Sequence, residues 1–263
     1  MNGAILGDIA GSRIEFCRPS GFDHQHAELF TGACFYTDDT VLSVATKYAV
    51  LNQIPYARAY GKVGRRYRTV GFGTLFQQWL DSHSQRGYNS YGNGAAMRVG
   101  FIGEYFKTLE RVENEAEISA ICTHNHEEGV KAAKATAVAV FLGKNGYSKK
   151  DLIRHLQKNY DYPLHTPLPL YRPFGKFDPT ARATMPLALR CFLESDSWES
   201  CIRNVFSVKC DTDTVGCIAG GIAEAFYGTT GMQEEELLKR YLVKPDDLGI
   251  FDTFLFEWAT KEF

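Results

Sequence analysis

Residues 37–51 read TDDTVLSVATKYAVL, and residues 211–227 read DTDTVGCIAGGIAEAFY. In the first stretch Val41, Val44, Ala45, Tyr48 and Ala49 fall at i, i+3, i+4, i+7 and i+8, one face of a helix. The second reads as a helix over Val215 to Tyr227, dense in small residues. The same period recurs around Leu75, Trp79 and Leu80, across Val130 to Leu142, across Cys191 to Phe206, and over Glu234 to Leu242. Strand-like alternation is scarce and no strand–helix–strand rhythm appears, so a mostly α fold is expected.

Turn-rich breaks fall at Arg86 to Gly94, at Gly143 to Gly146, and between Tyr162 and Pro179. The last holds Pro163, Pro167, Pro169, Pro173 and Pro179, and reads as a long ordered loop. Composition does not shift across it, so one domain is expected over residues 1–263. Gly3, Gly7 and Gly11 are spaced by four, as are Gly216 and Gly220, a pattern that lets helices approach closely. No strand precedes the first stripe and its spacing is not G-x-G, so it is no dinucleotide fingerprint.

Bulk composition excludes several classes. With 44% hydrophobic residues the chain of 263 can bury a sizeable core, which removes disorder. Lys plus Arg is 29 and Asp plus Glu is 31, a net charge of −2 that does not indicate a nucleic-acid partner. The seven cysteines are odd in number and form no C-x-x-C pair, against a disulfide framework or structural zinc. The start carries Asp8, Arg13 and Glu15 and lacks a long apolar signal region, and no apolar run is long enough for a transmembrane helix. A cytoplasmic protein with no membrane partner is expected.

The chemistry lies in the paired helix starts. Thr37-Asp38-Asp39-Thr40 and Asp211-Thr212-Asp213-Thr214 each combine hydroxyls with carboxylates. Either alone is explained by helix capping and the macrodipole. Together they exceed what two caps require. Should they meet, Asp38, Asp39, Asp211 and Asp213 total −4, which two divalent ions would balance. Oxygen ligands favour Mg²⁺, with Mn²⁺ or Ca²⁺ as alternatives, over zinc. His124 and His126 have the spacing of a metal pair, but an oxygen-rich site disfavours that reading.

GAILGDIAGSRIEF (3–16), FYTDDTVLSVA (35–45), VGFGTLFQQWL (70–80), YNSYGNGAAMRV (88–99), THNHEEGVKAAKA (123–135) and the run from Phe192 to Gly228 resemble the ADP-ribosylglycohydrolase family, in family order. The resemblance implies an all-α, single-domain orthogonal helical bundle with a dinuclear magnesium site in a central cleft. By its motifs Thr37, Asp38, Asp39, Asp211, Asp213 and Thr214 would hold metal. Glu15 matches a glutamate near the metals that influences substrate entry or catalysis. Glu15, Asp38, Asp39 and Asp213 are therefore the catalytic candidates. Gly92, Asn93, Gly94 and Ala95 match a loop contacting the distal ribose and diphosphate, Gly71 and Gly73 would join the diphosphate cradle, and His124 would face the ribose. Glycines there let backbone N–H groups approach phosphate oxygens. Tyr88, Tyr91 and Phe72 are adenine-stacking candidates.

The implied activity is hydrolysis of the glycosidic bond between ADP-ribose and an acceptor, on a protein side chain such as arginine or in another conjugate. The alternatives are a non-catalytic ADP-ribose sensor and a hydrolase of small derivatives such as acetyl-ADP-ribose. One departure is Lys209-Cys210, where many relatives carry two glycines before the second motif.

Overall fold

The computed structural model describes residues 1–245 and 251–263. In chain order the helices are α1 (Asn2–Ser12), α2 (Asp38–Asn52), α3 (Tyr56–Arg66), α4 (Thr74–Asp81), α5 (Gly100–Tyr105), α6 (Leu109–Ile121), α7 (Glu127–Lys144) and α8 (Lys149–Tyr160). They continue with α9 (Leu168–Tyr171), α10 (Ala181–Leu193), α11 (Trp198–Phe206), α12 (Thr212–Tyr227), α13 (Glu234–Leu242) and α14 (Phe254–Thr260). Among the described residues the only sheet is Lys244–Pro245 paired antiparallel with Phe251–Asp252. The fold is all-α, as the resemblance implies and in line with the mostly α reading of the periodicity.

Three helices form the centre. α1, α7 and α12 are apolar or small almost all round, and each has a run of fully buried residues along most of its length. Helices of that kind belong inside a bundle rather than on its surface. The two glycine stripes meet each other: a Cβ on Gly7 would lie 2.1 Å from the Gly216 carbonyl oxygen. One on Gly220 would lie 2.3 Å from that of Gly3. The backbones of α1 and α12 are therefore in direct contact, which only glycine permits. That contact brings Asp8 on α1 alongside the start of α12 and so positions the site.

Gly7→Ala should accordingly cost at least about 1–3 kcal/mol, because backbone rather than a flexible side chain must move. Gly100→Ala, with nothing within 4 Å of the added carbon, should be neutral or mildly stabilising. Comparing the urea midpoints of the two variants checks this; equal midpoints would contradict the packing argument.

Two local readings change. The stretch Cys191 to Phe206, expected as one helix, is broken at Glu194–Ser197, where Ser197 and Ser200 form a reciprocal capping box that starts α11. Hydrophobic period continues across the break, but the serines give the backbone a better local partner. The proline-rich segment is not wholly loop, since it contains α9 and a 3₁₀ turn over Arg172–Phe174.

Candidate active site

Thr37 is the N-cap of α2 and accepts a hydrogen bond from the Asp39 N–H at 3.2 Å. The cap is itself held from below. Asp8, fully buried on α1, accepts from the Thr37 N–H (3.0 Å), the Thr37 hydroxyl (2.8 Å), the Thr40 N–H (3.1 Å) and the Thr40 hydroxyl. Burial lifts Asp8 to about 6 against these four bonds. The sequence reading did not assign Asp8 to the site. Its signal was the G-D-x-x-G pattern at Gly7, whose aspartate proves to anchor the first acidic motif.

The second motif is not explained by capping. Asp211 is the N-cap of α12 but makes no side-chain cap bond; its Oδ2 accepts instead from Asn93 Nδ2 at 2.8 Å. Asn93 also donates to the Thr184 hydroxyl at 3.0 Å. Asp213 Oδ1 accepts from the Thr214 N–H at 2.8 Å. The two motifs meet where the Thr214 hydroxyl donates to Asp39 Oδ2 at 3.2 Å. Glu15, Asp211 and Asp213 each offer a carboxylate oxygen within 4.8 Å of the others.

Burial, reinforced by crowding of like charge, dominates the electrostatics. Burial, then the Asp213 charge, pushes Glu15 up to about 8, and the same two causes in the same order push Asp38 up to about 8. Asp39 and Asp213 are raised well above the carboxylate range, by burial first and then by Asp213 and Asp211 respectively. Asp211 rises to about 6, mainly through burial.

These groups open into a cavity of about 1030 Å³. Its wall includes Glu15, Thr37, Asp38, Asp39, Asp211, Asp213 and Thr214 together with Gly71, Gly73, Gly92, Asn93, Gly94 and His124. Ala95 is the exception among the expected contacts: it is fully buried and not part of the wall. Of the stacking candidates Tyr88 and Tyr91 line the cavity, while Phe72 turns into the core and packs on Phe76 at 4.9 Å. Its place in an apolar period with Phe76 and Trp79 explains the turn inward. His126 caps α7 by accepting from the Glu128 N–H, so it does not pair with His124. Lys209 is exposed and outside the wall; its backbone packs against Gly175 of the proline-rich segment.

Residues not expected at the site also reach the wall: Phe16, Phe35, Tyr36, Leu75, Phe177 and Lys244. Phe16 and Phe177, both in the cavity wall, meet at 5.3 Å between ring centroids from different parts of the chain. Tertiary contact alone joins them.

The donor set fits hard divalent cations. It is all carboxylate and hydroxyl oxygen, and Asp39 Oδ1 is buried with no hydrogen-bond partner. Among the described residues of the wall Lys244 is the only ammonium or guanidinium, so protein cations do not balance the carboxylates. An unpaired buried anion is costly, and either protonation or a bound cation relieves it: the raised carboxyls show the first, and the oxygen donor set suits the second.

Comparison with known proteins places this architecture. A protein-family model described as ADP-ribosylglycohydrolase matches residues 1–249. The chain is 26% identical to human ADP-ribosylhydrolase ARH3, covering 89% of this chain and 86% of that one. It is 24% identical to ADP-ribosylarginine hydrolase Tri1 of Pseudomonas putida (strain GB-1), covering 89% and 71%. A solved structure titled ADP-ribosylglycohydrolase-related protein complex superposes with a TM-score of 0.74 at 18% identity, covering 98% of this chain and 92% of that one. With the family model spanning nearly the whole chain and the helical fold shared, the chain belongs to the ADP-ribosylglycohydrolase family.

Proposed function

We propose that the chain is a Mg²⁺-dependent hydrolase that cleaves the glycosidic bond between ADP-ribose and an acceptor, acting as one catalytic unit over residues 1–263. The observation that carries this reading is the junction of the two acidic motifs at Thr214 and Asp39, with Asp39 Oδ1 buried and unpartnered, beside a cavity of about 1030 Å³. The relatives are named as ADP-ribosylhydrolases, one of them for arginine, and the reading extends that chemistry to this chain.

Thr37, Asp38, Asp39, Asp211, Asp213 and Thr214 would hold two Mg²⁺ ions, with Mn²⁺ able to replace them. When bound, such ions supply Lewis acidity and a template for vicinal hydroxyls. The protein's own residues do the rest. Gly71, Gly73, Gly92 and Gly94 present backbone that a diphosphate can approach without Cβ obstruction. Asn93, fixed by Thr184 and Asp211, links that loop rigidly to the acidic cluster. Glu15 is half-buried between the cluster and the mouth, where a carboxyl can pass a proton to a leaving atom or take one from water. The carboxylates stabilise the oxocarbenium-like charge that develops at the ribose carbon.

The test is release of free ADP-ribose from a panel of ADP-ribosylated acceptors, comprising arginine, serine, acetyl and polymer forms. Magnesium-dependent release from at least one, abolished by EDTA, is expected. Tight ADP-ribose binding with no release from any acceptor would replace the hydrolase reading by a sensor.

A further inference from the structure

Arg98 is the largest charged side chain in the core. It is fully buried, its guanidinium lies 4.1 Å from the centre of the Tyr60 ring, and among the described residues no carboxylate pairs with it. Its Nη2 donates to the Ser119 carbonyl at 2.8 Å and to the Thr123 hydroxyl oxygen at 2.7 Å. The Thr123 hydroxyl in turn lies 2.8 Å from Nδ1 of His124, whose ring reaches the cavity wall.

The direction of that last bond follows from counting donors. A guanidinium only donates, so the Thr123 oxygen accepts from Arg98 and has one hydrogen to give. Two acceptors are in reach, His124 Nδ1 at 2.8 Å and the Ala120 carbonyl at 3.4 Å. The Ala120 carbonyl already accepts from the Thr123 N–H at 3.0 Å and the His124 N–H at 2.8 Å, which uses both lone pairs. The hydroxyl hydrogen goes to Nδ1, the nearer and less occupied of the two acceptors, which places the ring proton on Nε2. Nε2 is the atom turned toward the glycine loop: a Cβ on Gly94 would lie 3.0 Å from it, and one on Gly92 3.7 Å.

We propose that Thr123, oriented by Arg98, holds His124 as the neutral Nε2–H tautomer, so that His124 is a fixed hydrogen-bond donor to an acceptor oxygen of the ligand and not a general base. Arg98 and Thr123 are positioning residues in this scheme. Burial, and then the Arg98 charge, hold the imidazole well below its ordinary range, which keeps the ring neutral. The chain Arg98–Thr123–His124 thus gives a directed neutral donor to the cavity that the carboxylates line.

The experiment reads the ring directly. Protein labelled with ¹⁵N-histidine, with His124 assigned by its loss in His124→Asn, is examined without ligand by two-bond ¹⁵N–¹H correlation near neutral pH. The expected spectrum shows a protonated Nε2 and a bare Nδ1, retained in Thr123→Ser and lost to a tautomer mixture in Thr123→Val. Titration with ADP-ribose, where the inference rests on the reading above, should show affinity reduced about tenfold in Thr123→Val and near wild type in Thr123→Ser, as for one lost hydrogen bond. Arg98→Met, which keeps an apolar stem on Tyr60, should also mix the tautomers; should it fail to fold, the Thr123 pair decides, since both leave the guanidinium in place. A protonated Nδ1 in the wild-type protein, or an unchanged ring in Thr123→Val, would overturn the proposal. The spectrum is independent of turnover, so a protein that binds without hydrolysing would still pass or fail this test on its own.

Discussion

Asp213→Asn is expected to lower turnover by on the order of 10³-fold while making the metal-free protein more stable. The two effects have one cause. Asp213 is the like-charge neighbour that weighs most on Glu15, Asp38 and Asp39. Two unit charges about 4 Å apart at an effective dielectric of 20 repel by about 4 kcal/mol, so removing one member relieves several pairs together. Local structure should survive, because the amide oxygen of Asn can still accept from the Thr214 N–H as Asp213 Oδ1 does. Catalysis should not survive, because the cluster loses one of the carboxylates proposed to hold the ions. The check is a paired measurement of ADP-ribose release and of the thermal midpoint in EDTA near pH 8. Full turnover, or a midpoint lower than wild type, would refute the account of a cluster strained by its own charge and relieved by cations.

Magnesium should raise the thermal midpoint by roughly 8 to 16 °C at about a thousandfold excess over its dissociation constant, equivalent to about 4 kcal/mol. The gain should depend on pH with a definite sign. Glu15 rises from 4.5 to about 8 and Asp38 from 3.8 to about 8 on folding. Across that interval the metal-free native state binds more protons than the unfolded chain, so its stability falls as pH rises. Cations take the place of those protons. The magnesium-induced shift is therefore expected to be small near pH 5 and largest near pH 8, and binding should release protons in calorimetry run in buffers of different ionisation enthalpy. A shift that is flat in pH would show that the bound ion does not sit among these carboxylates.

The sequence carried the helices that repeat strongly and little of how they end. Periodicity found α2, α12 and α13 because their buried positions recur on one face or all round. It ran through Glu194–Ser197 because serine capping is a local hydrogen-bond choice that leaves the apolar period intact. It missed α8, whose Lys149–Tyr160 sequence is mostly polar and buries only Leu152, Leu156 and Tyr160. Of the site, the two acidic motifs were legible because four carboxylates exceed what caps need. Phe16 and Phe177 were not, since each is an ordinary exposed aromatic until a distant loop brings them together.

By itself the sequence determined the all-α class, the acidic chemistry and the oxygen-ligand preference, because these follow from residue type and from spacing along one chain. The tertiary structure decided that the two motifs touch, that Asp8 props the first of them, and that Arg98 stands behind His124. Those relations depend on the glycine contact between α1 and α12 and on burial, which fixes where each hydrogen bond and charge must find its partner. No spacing records them, because the partners are 29, 25 and 175 residues apart and meet only when the core closes.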